Sequence, residues 1–345
     1  MRMNEVQAVV MGRTDWYRRL FDDCKNDPNI VVGEEFFYNS KGSFLTSLFY
    51  RLAFSRRLPP FWEDNCLSRY YINKICKNLR KHCKNNTVII LNRACPFAHN
   101  EYFLKKIKRM NNNFKLVYWF TEIVNNVLLS QNNILDICDK YYDLTITYDL
   151  DDVKRYGFEY IETPYSYNKN VEESVEFDIS YVGSAKLETD RSRFDKIINV
   201  YESAVKHGLK VEFYINGVPD TLKKYDDKIH YNILLSYTDV IKIVCKSRAI
   251  LEVPQEGERG TTLRLFEAIS YQKKLLTTSS ITAMHPLFNN KYMRVLSQSV
   301  HGDFEIDENF ILSNEEIFYN PKDIDELSPI NFINKIKKLL FNVSF

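Results

Sequence analysis

Thr261, Thr262, Arg264 and Glu267 follow closely on two glycines, Gly257 and Gly260, in the segment EVPQEGERGTTLRLFEAISYQKKLLTTS (Glu252–Ser279). An apolar strand ends at Val253, the glycine loop follows, and Thr261 stands where a helix N-cap belongs. A threonine hydroxyl there satisfies a free backbone N–H, and the helix amino end behind it favours an anion. Two glycines let the backbone approach a phosphate closely, with Thr261 and Thr262 as donors and Arg264 as a bidentate partner. Glu267 lies six residues beyond Thr261, or ~9 Å along a helix axis. That separation suits a pyrophosphate at the helix end and a ribose diol held by the carboxylate further down. The competing expectation is an ordinary amphipathic helix with Leu263, Phe266 and Ile269 in the core and Glu267 solvated.

The elements around this segment read as alternating strands and helices. Val6–Met11, Thr87–Leu91, Lys115–Phe120 and Leu144–Thr147 are short apolar strand candidates, with helix-spaced Tyr102, Phe103, Ile107 and Met110 between the second and third. A second series begins after Pro164. It comprises strands at Phe177–Val182, Lys210–Ile215, Ala249–Val253 and Lys274–Thr278, and helices near Ser192–His207, Val240–Lys246 and Leu263–Tyr271. Such alternation predicts parallel α/β sheets. Ser328–Phe341 closes the chain as an amphipathic helix, with Ile330, Ile333, Ile336, Leu339 and Leu340 on one face. The expected domains are residues 1–165, 166–327, and a closing segment 328–345 that packs back on the first.

Composition narrows the class. The 345 residues are 45% hydrophobic with only 10 Gly and 10 Pro, enough apolar material for real cores and too little Gly and Pro for a disordered chain. No run approaches the ~20 apolar residues that cross a bilayer, and the amino end lacks a secretory pattern, so a cytoplasmic location is expected. Seven cysteines without a C-x-x-C pair predict reduced thiols rather than a zinc site. Charge is unevenly spread. Residues 36–100 hold eleven basic residues against Glu63 and Asp64, a net +9, leaving −7 for the rest of a chain whose total is +2. An asymmetry of that size points to a surface that meets polyanions. Within it, residues 44–62 mix Phe44, Leu45, Leu48, Phe49, Leu52 and Phe54 with Arg51, Arg56 and Arg57. That mixture fits either an anionic membrane interface or a core-facing helix with an arginine edge. No nucleic-acid-binding motif accompanies the charge, so no nucleic-acid partner is expected.

Three further stretches carry a resemblance. FDISYVGS (Phe177–Ser184), KVEFYINGV (Lys210–Val218) and SRAILEVPQEGERGTTLRLFEAISYQKKLLTTS (Ser247–Ser279) resemble the GT-B glycosyltransferases, closest to the spore-maturation-protein-like transferases of bacterial capsule and lipopolysaccharide synthesis. YDLDDVKRYGFEYIETPYSY (Tyr148–Tyr167) looks like that family's interdomain link. The resemblance covers about Asn86 to Thr278. It departs in two places: Glu258 and Glu267 stand nine apart where many such enzymes have two glutamates eight apart, and Tyr271-Gln272 replaces the glycine after the helix.

The resemblance implies two Rossmann-like α/β/α domains facing a cleft and transfer of a sugar from a nucleotide-sugar donor to a saccharide or lipid-linked acceptor of a bacterial surface polysaccharide. A peripheral seat on the inner face of the cell membrane would suit such acceptors. Gly183, Ser184 and Gly217 would border the donor together with Gly260, Thr261, Thr262, Arg264 and Glu267. Cations and helix dipoles stabilise the departing diphosphate in such sites, so neither a cofactor nor a divalent metal is required. An inverting mechanism needs a base from the first domain, for which Asp15 and Glu122 are the candidates and His99 a third; a retaining one needs none. The rival readings are a nucleotide-sugar 2-epimerase of the same fold, a non-catalytic sugar-nucleotide binder, and a metal-dependent GT-A transferase using Asp149-Leu150-Asp151.

Overall fold

The computed structural model describes residues 5–12, 15–33, 44–54, 65–129, 131–167, 173–188, 190–299 and 302–341, without the side chains of residues 15, 16, 18, 44–47 and 51. The chain divides into two compact units, Met1–Ser166 with Pro329–Phe345, and Tyr167–Ser328. The borders expected from sequence lie one residue from this division.

The first unit opens with β1 (Gln7–Val10), α1 (Asp15–Leu20), β2 (Ile30–Val32), α2 (Phe44–Ala53) and α3 (Cys66–His82). It continues with β3 (Thr87–Asn92), α4 (Glu101–Met110), β4 (Phe114–Phe120), α5 (Val124–Leu128) and α6 (Ile134–Tyr141). Then come β5 (Leu144–Thr147), α7 (Leu150–Tyr156) and β6 (Glu159–Tyr160). The second unit has β7 (Phe177–Ser184), α8 (Arg191–Lys206), β8 (Val211–Asn216), β9 (His230–Tyr231), α9 (Tyr237–Cys245) and β10 (Ser247–Glu252). It ends with α10 (Leu263–Ser270), β11 (Lys274–Thr277), β12 (Met293–Val295), α11 (Glu308–Leu312) and α12 (Pro321–Glu326), after which α13 (Pro329–Phe341) returns to the first unit.

Among the described residues each unit holds a six-stranded sheet whose paired strands are all parallel, ordered β2-β1-β3-β4-β5-β6 and β12-β11-β10-β7-β8-β9. The fold is therefore two Rossmann-like α/β units. Burial explains the patterning. Every residue of β3 is buried, as expected for a central parallel strand covered on both faces. In each sheet the connections reverse direction once, between β1 and β3 and between β7 and β10. Ligands in such sheets bind outside the carboxyl ends of the strands at that reversal.

The edge strands β2, β6, β9 and β12 are two or three residues long. Such stretches are too short for their periodicity to announce them in the sequence.

The buried face of α13 differs from the one its apolar spacing suggests. Phe332, Ile333, Ile336 and Lys337 point inward, whereas Leu339 is 45% exposed. Aromatic packing decides the rotation: the Phe332 ring lies 6.0 Å from Phe21 and 5.0 Å from Trp119. No disulfide joins the seven cysteines, and burial pushes the thiols of Cys24, Cys76 and Cys138 up to about 12.

Asp149-Leu150-Asp151 has a structural task. The Asp149 side chain caps α7, accepting from the backbone N–H of Asp151 (2.9 Å) and Asp152 (3.1 Å). Asp152 in turn accepts from Val124 N–H (2.9 Å) at the start of α5. Among the described residues no cluster of three or more His, Cys, Asp or Glu is placed to hold a metal.

Burial pushes the Asp152 carboxyl up to about 6, against the opposing bond from Val124. Its folded pKa thus lies above the unfolded value, so it adds stability while protonated, and that contribution is lost as pH rises from ~4 through about 6. Asparagine keeps the acceptor for Val124 without the charge. Urea melts across this window should show a flatter pH profile for Asp152→Asn and no loss of stability at neutral pH. An unchanged slope would contradict this assignment.

Candidate donor site

The predicted donor residues gather in the second unit, at the carboxyl ends of β7, β8 and β10 and the amino end of α10. Four positions settle differently from expectation or supply a reason the sequence did not give. The N-cap of α10 is Thr262 rather than Thr261: its hydroxyl accepts from Arg264 N–H (3.2 Å), while Thr261 is buried beside buried Gly260. A hydrogen bond from the Thr262 hydroxyl to the Glu252 carboxylate holds the cap one residue later than read.

Gly183 lies within β7, not in a turn after it. A Cβ there would sit 2.5 Å from the Tyr181 hydroxyl, so any larger residue would have to displace that ring. Gly217 has φ +77°, a left-handed backbone that glycine adopts without strain. Its N–H and that of Val218 donate to Asn232 Oδ1 (2.9 and 3.1 Å), and Asn232 Nδ2 returns a bond to Val218 O (2.7 Å). Ser184 is paired in register with Asn216 of β8, and its Oγ lies 3.4 Å from where a Cβ on Gly217 would be. Gly183, Ser184 and Gly217 thus form one edge.

Glu267 is not solvated. It is 0% exposed on the inner side of α10, where it accepts from Tyr237 Oη (2.8 Å) at the start of α9 and pairs with Arg264 Nη1. Arg264 Nη2 also donates to Val182 O (2.9 Å). One guanidinium therefore ties α10 both to its own carboxylate and to the end of β7. The same geometry commits Arg264 and Glu267 to each other, where the sequence assigns one to phosphate and the other to ribose. A second buried carboxylate, Glu252 at the end of β10, also accepts from Thr277 Oγ1 (2.6 Å). The Gly257 loop is held by Asp190, which accepts from Glu256 N–H (2.7 Å) and also caps α8 through Arg193 N–H (3.1 Å). Burial raises the Asp190 carboxyl, but bonds from Ser192, Glu256 and Arg193 outweigh it and leave the pKa below the usual carboxylate value.

Tyr237, Glu252, Thr277 and Asn232 were missed as site residues. Only Glu252 carried a signal: it is an acid ending an otherwise apolar strand. Past the helix, Gln272 takes φ +51°, with Gln272 N–H to Ile269 O (3.3 Å) and Lys273 N–H to Ala268 O (2.8 Å). This is a Schellman closure, with glutamine at the position that usually holds glycine.

The acceptor-side candidates lie in the first unit. Glu122, two residues past β4, pairs with Arg93 Nη1 (2.6 Å), one residue past β3. Asp15 begins α1, and its side chain lies outside the described residues. His99 is buried, its ring 5.6 Å from that of Tyr118, so it belongs to the packing of the β3–α4 connection rather than to an open surface.

No family model matches the sequence. The tRNA(Met) cytidine acetate ligase of Clostridium perfringens is 25% identical over 260 residues, covering 70% of this chain and 56% of that protein. The chain thus spans little more than half the length of that curated relative. Among solved structures, an α,α-trehalose-phosphate synthase (UDP-forming) from Burkholderia xenovorans in complex with glucose-6-phosphate has a TM-score of 0.46 at 10% identity, covering 97% of this chain and 92% of that one. An α-glucosyltransferase in complex with UDP and a mismatched 13-mer DNA has 0.47 at 10%, covering 98% and 90%. S. aureus TarM with UDP has 0.40 at 17%, covering 64% and 48%. These neighbours are glycosyltransferases; at such TM-scores none assigns a function to this chain.

Losing one partner of a buried ion pair strands the other. Glu267→Ala should lower unfolding free energy by about 3–5 kcal/mol, and Tyr237→Phe, which deletes one hydrogen bond to a charged group, by about 2 kcal/mol. Urea denaturation reads both. A smaller cost for Glu267→Ala than for Tyr237→Phe would show that the carboxylate does not secure Arg264.

Proposed function

We propose that this chain is a nucleotide-sugar-dependent glycosyltransferase of the GT-B kind, with the donor bound at the carboxyl edge of the second sheet. The observation that carries the reading is the Arg264–Glu267–Tyr237 cluster at the amino end of α10, beside the edge formed by Gly183, Ser184 and Gly217. A diphosphate arriving there competes with Glu267 for the Arg264 fork. Release of one carboxylate oxygen then frees it to accept a ribose hydroxyl. Arg264, the Thr262 cap and the helix dipole stabilise the charge that develops on the leaving diphosphate, an electrostatic term that grows toward the transition state.

Asp15 and Glu122 are the carboxylates proposed to take the acceptor proton if configuration inverts. The acceptor in this reading is a saccharide or lipid-linked intermediate of a bacterial surface polysaccharide, with residues 44–62 at an anionic membrane. Only 44–54 of that stretch lies among the described residues, and Arg51, Arg56 and Arg57 are outside the described side chains.

Thermal melting against UDP-, GDP-, dTDP- and CMP-sugars tests the reading, since a ligand of the native state raises apparent stability. At least one should raise the midpoint, with affinity reduced tenfold or more in Glu267→Gln. Stabilisation by none of these nucleotide sugars would contradict the reading. Transfer should also survive EDTA. Abolition by EDTA with rescue by manganese would contradict a mechanism based on Arg264 and the helix end.

A further inference from the structure

The strongest uncompensated charge lies away from the donor site. Between Asn65 and Asn100 the sequence contains no acidic residue. Helix α3 carries Lys77, Arg80 and Lys81 on its exposed side, and α4 adds exposed Arg109; none of the four has a carboxylate partner among the described residues. The two helices are joined by Tyr102, whose hydroxyl donates to Asn73 Oδ1 (2.9 Å) while Arg69 and Lys106 sit 5.2 and 5.5 Å from its ring centre.

An apolar helix packs on α3 nearly two turns before Lys77. Tyr50 of α2 packs on Tyr71 of α3 with ring centres 5.3 Å apart. That contact leaves Leu48, Phe49 and Leu52 at 40%, 47% and 39% exposure. Their spacing puts them on one helix face, and Tyr70 of α3 is exposed as well.

We infer that α2, α3 and α4 form a docking surface for an anionic lipid bilayer. The aliphatic and aromatic side chains of α2 enter the acyl boundary, and the cations of α3 and α4 meet lipid phosphates. Charge complementarity selects an anionic partner, worth most within a Debye length of the surface. Leu48 and Leu52 favour lipid over a polynucleotide, because aliphatic side chains enter an acyl boundary and offer no stacking platform for bases, whereas Phe49 and Tyr70 suit either partner. This inference deepens the membrane seat named in the proposed function and stands apart from the donor site, since none of its residues belongs to the second unit.

The test is co-sedimentation of the full chain with phosphatidylcholine vesicles, with and without phosphatidylglycerol. Binding should require the anionic lipid and weaken as salt rises. The combined variant Lys77→Gln, Arg80→Gln, Lys81→Gln should bind roughly a hundredfold more weakly, and Phe49→Ser with Leu52→Ser at least about tenfold more weakly. All five are surface changes, so melting curves should match the parent protein. Donor binding should be unaffected, so failure here is distinguishable from failure of the transferase reading. Equal binding to neutral vesicles, or full binding by the triple variant, would overturn the inference. Capture of transfer RNA that depends on Lys77, Arg80 and Lys81 but not on Phe49 and Leu52 would do the same.

Discussion

A carboxylate removed from water must be given donors where it lies, and Glu267 is the residue on which this requirement bears hardest. Its two partners come from different places: Arg264 from one turn earlier in the same helix, Tyr237 from the start of α9. Because Arg264 also reaches Val182 O, satisfying one buried charge fixes α10 against both α9 and β7. Glu252 imposes a similar demand one strand away and meets it with the hydroxyls of Thr262 and Thr277. The amino end of α10 therefore has two buried carboxylates beside it before any ligand arrives. In this account the incoming diphosphate does not enter an empty cradle; it exchanges for Glu267 at a guanidinium already aimed.

The glycines at the site answer to different constraints. Gly183 leaves room for the Tyr181 ring, and Gly217 is favoured by a left-handed backbone that Asn232 holds from the neighbouring loop. Where a Schellman closure usually holds glycine, Gln272 adopts the left-handed turn, at a local cost of about 1 kcal/mol offset by the two closing hydrogen bonds.

Much of this architecture was legible in the sequence because parallel strands buried on both faces read as unbroken apolar runs. Thr87–Leu91 and Lys115–Phe120 are such runs. The border near Pro164 was legible for a different reason, the punctuation of an otherwise regular alternation. What escaped depended on tertiary partners. Two- and three-residue edge strands have no period to detect, the rotation of α13 is set by Phe21 and Trp119 far away in sequence, and the burial of Glu267 follows from Tyr237 thirty residues earlier. Local spacing placed Thr261 at the cap; a hydrogen bond from Thr262 to Glu252 moved it by one. The D-x-D pattern was ambiguous for the same reason, since a cap and a metal ligand look identical until the backbone N–H groups are placed.

The first unit repeats the logic of the second with different chemistry, since Arg93 and Glu122 pair across the ends of adjacent strands as Arg264 and Glu267 pair within one helix. The account stands or falls on the exchange at Arg264. A crystal structure with a nucleotide sugar bound measures it most directly. The account predicts a diphosphate oxygen within hydrogen-bonding distance of Arg264 and Thr262, with a Glu267 oxygen turned from the guanidinium to a ribose hydroxyl. A nucleotide bound elsewhere, or bound there with the Arg264–Glu267 pair intact and the ribose out of reach, would contradict it.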